Sequence, residues 1–183
     1  MNVEILVLSQ IMNGPKHGYV IKKNINSLIS NTSSINNNTL YPMFRKFVKD
    51  GIAIKEVTYQ ESKPNKFVYS ITEKGKHHFY NTLRRMPENK SHDLEEFLVR
   101  VSLFEYIDNE DKQKILNVRE HYLRGALEYF YREKTEQENN DYIPRKEDFA
   151  DCETMKLKIE LDMIEKLRKK YAYHANCDPV NLL

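Results

Sequence analysis

Within the nine residues from Tyr41 to Lys49, Tyr41, Arg45, Lys46 and Lys49 supply the cations and the phenol that engage a polyanion. On a helix, positions four and eight apart share a side, so Tyr41, Arg45 and Lys49 line up with Lys46 beside them. A guanidinium meets guanine through two parallel hydrogen bonds, whereas ammonium and phenol groups suit phosphate. Arg45 or Lys46 is therefore the candidate base reader, and Tyr41 and Lys49 the candidate phosphate contacts. Asn37, Asn38 and Thr39 stand just ahead, where the free backbone N–H groups of a helix start attract phosphate. Two smaller clusters have the same chemistry. Lys63 lies in a polar hairpin tip with Lys66 just behind it, and the two are suited to straddling a minor groove or its flanking phosphates, while Tyr19, Lys22 and Lys23 suit the sugar–phosphate backbone.

The elements that must position these groups can be read from periodicity. Val3, Leu6, Val7 and Ile11 share one helical side before Gly14-Pro15 breaks the pattern. Val20, Ile21, Ile25, Leu28 and Ile29 mark a second helix after Gly18. Ser30 to Asn38, with four Asn and three Ser, reads as a loop. Leu40, Met43, Phe44, Phe47 and Val48 then follow the helical template without a miss. Pro42 fits this third helix if Thr39 caps it, because proline in a first turn gives up no intrahelical bond. Gly51 ends it.

Beyond Gly51 the period becomes two. Ile52 to Tyr59 and Lys66 to Thr72 read as strands around the tip Gln60 to Asn65. Thr72 caps a fourth helix from Glu73 to about Arg85, stopped by Pro87. Three helices and a hairpin within about 85 residues match a winged helix-turn-helix, whose third helix enters the major groove.

The residues that carry this pattern also resemble a family. Leu8-Ser9-Gln10-Ile11-Met12-Asn13-Gly14-Pro15-Lys16-His17-Gly18-Tyr19 is similar to the opening of the PadR-family transcriptional regulators. Thr39 to Phe47, closed by Asp50-Gly51, resembles their recognition helix, and Lys66 to Gly75 their second wing strand with the helix after it. Leu94 to Phe104 is similar to the start of the helical C-terminal domain in the longer PadR branch. The resemblance implies a homodimeric repressor with an operator-binding winged helix and dimerising C-terminal helices. Members commonly respond to aromatic or hydrophobic small molecules, which implies such an effector here. The sequence departs at Asn38, where these proteins carry glycine, and at Met43, Phe44 and Phe47, where they carry leucines; the larger side chains bear on the docking register, not the fold.

The second half supports a separate helical role. Residues 1–85 hold 13 Lys plus Arg against 5 Asp plus Glu, a balance of +8; residues 86–183 hold 16 against 22, a balance of −6, and the two sum to the net +2. A basic first half meets something anionic, and an acidic second half does other work. Leu94, Phe97, Leu98, Val101 and Phe104 form an apolar stripe, Asp108 caps a helix from Asn109 to about Asn139, and another helix runs from about Lys146 to Tyr173. The long helices are too apolar on too many sides to stand alone, and a second protomer is the simplest cover. Phe97, Phe104, Tyr106, Tyr122, Tyr129, Phe130 and Tyr131 are core residues or the lining of an effector pocket.

Other chemistries lack their signatures. The histidines at 17, 77, 78, 92, 121 and 174 are scattered, with no HExxH or G-x-S-x-G, and Cys152 and Cys177 have no metal-ligand spacing. His17 reads as a turn or packing residue and His77-His78 as surface. No enzyme, no metal, no cofactor and no membrane partner is expected, and the expected address is cytoplasmic. The expected fold is mainly α with a small β-hairpin, comprising a winged helix-turn-helix over residues 1–86 and a helical dimerisation and effector-sensing region over 87–183. DNA is contacted through helix 39–50 and wing 60–66. The alternatives are a winged-helix module that binds protein, which would lack the basic face, and a nucleic-acid-processing enzyme, which would need a carboxylate cluster beside that face.

Overall fold

The computed structural model describes residues 3–28, 35–58, 66–136 and 146–175. The chain forms two compact units, Met1–Arg85 and Met86–Leu183. The first comprises α1 (Val3–Met12), β1 (Lys16–His17), α2 (Gly18–Leu28), α3 (Asn37–Lys49), β2 (Ala53–Thr58), β3 (Lys66–Ile71) and α4 (Glu73–Arg84). Its sheet is antiparallel in the order β1-β3-β2. Periodicity reveals the hairpin but not β1, because two residues after Gly14-Pro15 are too few to alternate. They pair Lys16 with Tyr69 and His17 with Val68. His17 is thus a strand residue, its ring stacked on Tyr19 with centroids 5.7 Å apart.

The core of this unit joins Ile5, Leu8 and Ile11 of α1, Ile21 and Ile25 of α2, Leu40, Phe44 and Phe47 of α3, and Phe79 and Leu83 of α4, all essentially without solvent contact. Each such side chain contributes about 1.5–3 kcal/mol over its exposed state. α1 is buried well beyond a single stripe, since Ile5 and Leu8 are covered together with Leu6, Val7 and Ile11, and it packs on α2, β3 and α4. Leu28, read as part of the α2 stripe, is instead exposed. His78 is not a bare surface residue either: its Nε2 lies 2.9 Å from Glu4 Oε1, tying α4 to α1.

The second unit contains α5 (Leu94–Val101), α6 (Asn109–Glu136) and α7 (Lys146–Ala175), with 3₁₀ turns at Glu88–Lys90 and Phe104–Tyr106. Asp93 caps α5 by accepting from Glu96 N at 2.9 Å, and Asp108 caps α6 by accepting from Asp111 N at 2.8 Å. α6 and α7 lie antiparallel: Asn109 Nδ2 donates to the Tyr171 carbonyl at 3.1 Å, Arg168 to Glu120 at 2.6 Å, Arg119 Nε to Glu160 at 3.1 Å, and the Phe130 and Phe149 rings meet at 6.4 Å. Ala150, Thr154, Leu157 and Ile164 form the buried seam of α7, at the four-and-three spacing of paired helices.

The stripe expected on α5 differs in the structure. Leu94 and Leu98 are exposed, while Phe97 and Val99 are buried with Glu96 and Arg100. Arg100 hydrogen-bonds Glu96 one turn away, and a charge that brings its own partner can be buried where a lone one cannot.

Candidate nucleic-acid interface

α3 starts one turn earlier than its proline suggests. Asn36, not Thr39, is the cap: its side-chain oxygen accepts from Thr39 N at 2.9 Å and from the Thr39 hydroxyl at 3.2 Å. Asn37, Asn38 and Thr39 therefore lie in the first turn, all exposed. Pro42 falls inside the helix, so the Asn38 carbonyl receives no i+4 donor. Proline is tolerated there because its ring lies on the exposed side.

The other end is closed firmly. Gly51 N donates to the Val48 carbonyl at 3.2 Å and Ile52 N to the Phe47 carbonyl at 2.8 Å, the pair of bonds made when a left-handed residue follows a helix. Gly51 supplies that residue, with φ of 69°. Lys74 Nζ donates to the Asp50 carbonyl at 2.7 Å, placing a cation at the negative end of the helix dipole. The Thr72 hydroxyl donates to the Gly51 carbonyl at 2.7 Å and to that of Ile52 at 3.0 Å, and it accepts from Gly75 N at 3.0 Å.

With Leu40, Phe44 and Phe47 turned into the core, Arg45, Lys46 and Lys49 are exposed together and Tyr41 is half-buried beside them. Val48, read as a core position, is also exposed. Lys22 Nζ donates to Asn37 Oδ1 at 2.9 Å, which brings the start of α2 against the start of α3. Tyr19 is exposed at the beginning of α2. Lys63 and the side chain of Lys66 lie outside the described residues; the Lys66 backbone begins β3.

Two residues at this surface escaped the sequence reading. Lys55 lies over the Phe67 ring, 3.6 Å from its centroid, a diagonal contact set by the pairing of Lys55 with Tyr69 and Val57 with Phe67. Alternation alone does not reveal it, but the strand register would. Tyr69 is the other. It is 3% exposed, and its ring stacks on Phe44 at 3.8 Å with 8° between the planes. Burial pushes the Tyr69 phenol above its ordinary value, the nearby Tyr41 phenol adds to the rise, and the Arg45 cation opposes it.

A basic outward face, donors at a helix start and a strand pair alongside suit polyanion binding. Among the described residues no group of His, Cys, Asp or Glu forms a metal site, and no helix is long and apolar enough to cross a membrane.

Residues 7–86 match the family model described as the transcriptional regulator PadR-like family. The chain carries a PadR-like domain. That family is one of transcriptional regulators, not of enzymes. No curated protein matches the chain. Among solved structures it is similar to that of Bacillus subtilis PadR in complex with operator DNA, with 18% identity, 93% of this chain and 98% of that chain covered, and a TM-score of 0.43. A protein of Streptococcus mutans UA159 gives 21%, 91% and 98%, with a TM-score of 0.44. A transcriptional regulator from Clostridium thermocellum gives 29%, 44% and 77%, with a TM-score of 0.40. The PadR-like match spans α3, both long strands and α4, so the basic face lies wholly within it.

Proposed function

We propose that the chain is a homodimeric repressor that binds operator DNA in the cytoplasm and is released by a small aromatic or hydrophobic effector. Residues 1–86 are the DNA-binding part, acting through helix 39–50 and wing 60–66, and residues 87–183 dimerise and sense the effector. The observation that carries this reading is the exposed row Arg45, Lys46 and Lys49 on α3, inside a stretch that matches a family of transcriptional regulators. Arg45 or Lys46 reads bases, and Tyr41, Lys49, Asn37, Asn38 and Thr39 hold phosphates. Lys63, Lys66, Tyr19 and Lys22 extend the backbone contact.

Dimerisation is supported by apolar side chains that the single chain leaves uncovered: Tyr129 of α6 and Phe149, Met155 and Ile159 of α7 are all more than half exposed. Large apolar side chains left this exposed suit an interaction surface. The effector would stack on the rings of this region, among them Tyr122, Tyr129 and Phe130.

The test is a gel shift with the DNA upstream of the chain's own gene, repeated across salt and with candidate aromatic compounds. Affinity should fall with a log–log slope of about −0.9 for each phosphate neutralised. Arg45→Ala should weaken the complex by about 1–3 kcal/mol while leaving the fold intact. A flat salt response, or an Arg45→Ala complex as tight as the wild type, would overturn the proposal.

A further inference from the structure

Phe44 points inward from the same turn of α3 that presents Arg45 outward, so whatever sets the Phe44 ring also sets the rotation of the reading face. Tyr69 sets it. The two rings lie face to face at 3.8 Å, nearly parallel, and the Tyr41 ring adds a tilted contact to Phe44 at 6.4 Å and 55°. Gly18 closes the cluster from below. A Cβ there would meet Tyr69 Cε2 at 3.3 Å, Tyr41 Cε1 at 3.5 Å and Phe44 Cε2 at 3.6 Å. Its lack of a side chain leaves the three rings room to settle against α2.

Tyr69 also stands at the middle of the sheet, with Lys16 of β1 and Lys55 of β2 as its partners on either side. A ring on a strand paired on both sides is a firm reference for the helix packed against it.

We propose that Tyr69 is a positioning residue for DNA recognition: its ring, stacked on Phe44, fixes the rotation of α3 and with it the reading face. This rests on the DNA-binding reading above. Tyr69 touches no base itself. It supplies discrimination between sequences and leaves the general attraction to phosphate unchanged.

The experiment uses the full chain, a duplex that the wild-type protein selects from a random pool, and a scrambled duplex of the same base composition. Tyr69→Leu removes the stacked ring, Tyr69→Phe keeps it, and Gly18→Ala crowds it. Affinity for both duplexes, its salt slope and the thermal midpoint are measured for each variant. The expected result for Tyr69→Leu is a ratio of selected to scrambled affinity lowered by about fivefold, a part of what one two-bond base contact contributes, with scrambled affinity and salt slope as in the wild type, while Tyr69→Phe keeps the wild-type ratio. Gly18→Ala should lower the same ratio. The inference is overturned if Tyr69→Leu keeps the wild-type ratio, or if the ratio across the variants falls only in step with the midpoint, which is what a merely structural role would give. If the wild-type protein itself selects no duplex, it is the DNA-binding reading that fails.

Discussion

Gly75 shows how a single atom binds a motif to a fold. A Cβ there would lie 2.1 Å from the Ile52 carbonyl oxygen and 2.7 Å from Ile71 Cγ1, so the first turn of α4 rests directly on backbone. The run Thr72-Glu73-Lys74-Gly75 is recognisable in the sequence as a cap followed by a glycine, but the reason for the glycine is a close approach between segments more than twenty residues apart, and periodicity carries no such information. Gly75→Ala should cost about 1–3 kcal/mol through overpacking. For a unit of this size that lowers the thermal midpoint by roughly 4–8 °C per kcal/mol. A melt unchanged from the wild type would mean that α4 can lift off Ile52 freely.

Among the elements, α3 was legible on its inner side and not at its start. Leu40, Phe44 and Phe47 recur at the helical period, and all three are buried. Four residues in a row, Asn36 to Thr39, are able to cap, and the choice falls to a contact outside the run. Asn26 of α2 holds Ile35 by both backbone groups, accepting from its N–H at 2.7 Å and donating to its carbonyl at 3.3 Å, which leaves Asn36 next in line. The outward face followed from the inner one, so Arg45, Lys46 and Lys49 could be placed from spacing alone. Lys55 and Tyr69 could not, because their roles depend on strand register and ring stacking. For α5 the stripe at Leu94 and Leu98 misled, since the Glu96–Arg100 pair makes the other side equally buriable.

The α6–α7 pair carries a pH dependence of definite sign. Hydrogen bonds from Arg124 and then Arg168 hold the Glu120 carboxyl below its ordinary range. A carboxyl lowered in the folded state contributes stability that is present above the unfolded value, about 4.3, and is lost as pH falls through the folded one. Urea unfolding at a series of pH values should show constant stability from this source above about pH 5 and a decline below it. Glu120→Gln should make that decline shallower, by up to about 1 kcal/mol for a partly exposed pair. An acid limb identical to that of the wild type would assign the effect to other carboxylates.

For the molecule as a whole, charge and oligomeric state go together. With +8 on residues 1–85 and −6 on residues 86–183, pairing two copies through the first half sets +8 against +8 and pairing through the second sets −6 against −6, so the second is the less repulsive of the two. Sedimentation at micromolar concentration should give a dimer. Met155→Glu with Ile159→Glu, both on the exposed side of α7, should give a folded monomer with wild-type helix content and weaker operator binding. A dimer that survives both charges would move the interface elsewhere.

The hairpin is anchored at its root. Its first strand leaves the chain at Ile52 and its second returns at Thr72, and Thr72 donates from both its N–H, at 3.1 Å, and its hydroxyl to the carbonyl of Ile52, while Lys74 holds Asp50 just ahead. The hairpin behaves as a cantilever clamped at its base, and because the clamp grips the Gly51 turn that closes α3, a load on the strands arrives at the end of that helix. If the chain binds DNA as proposed, a force on the hairpin is therefore felt where the reading helix ends, and grip and reading are mechanically joined.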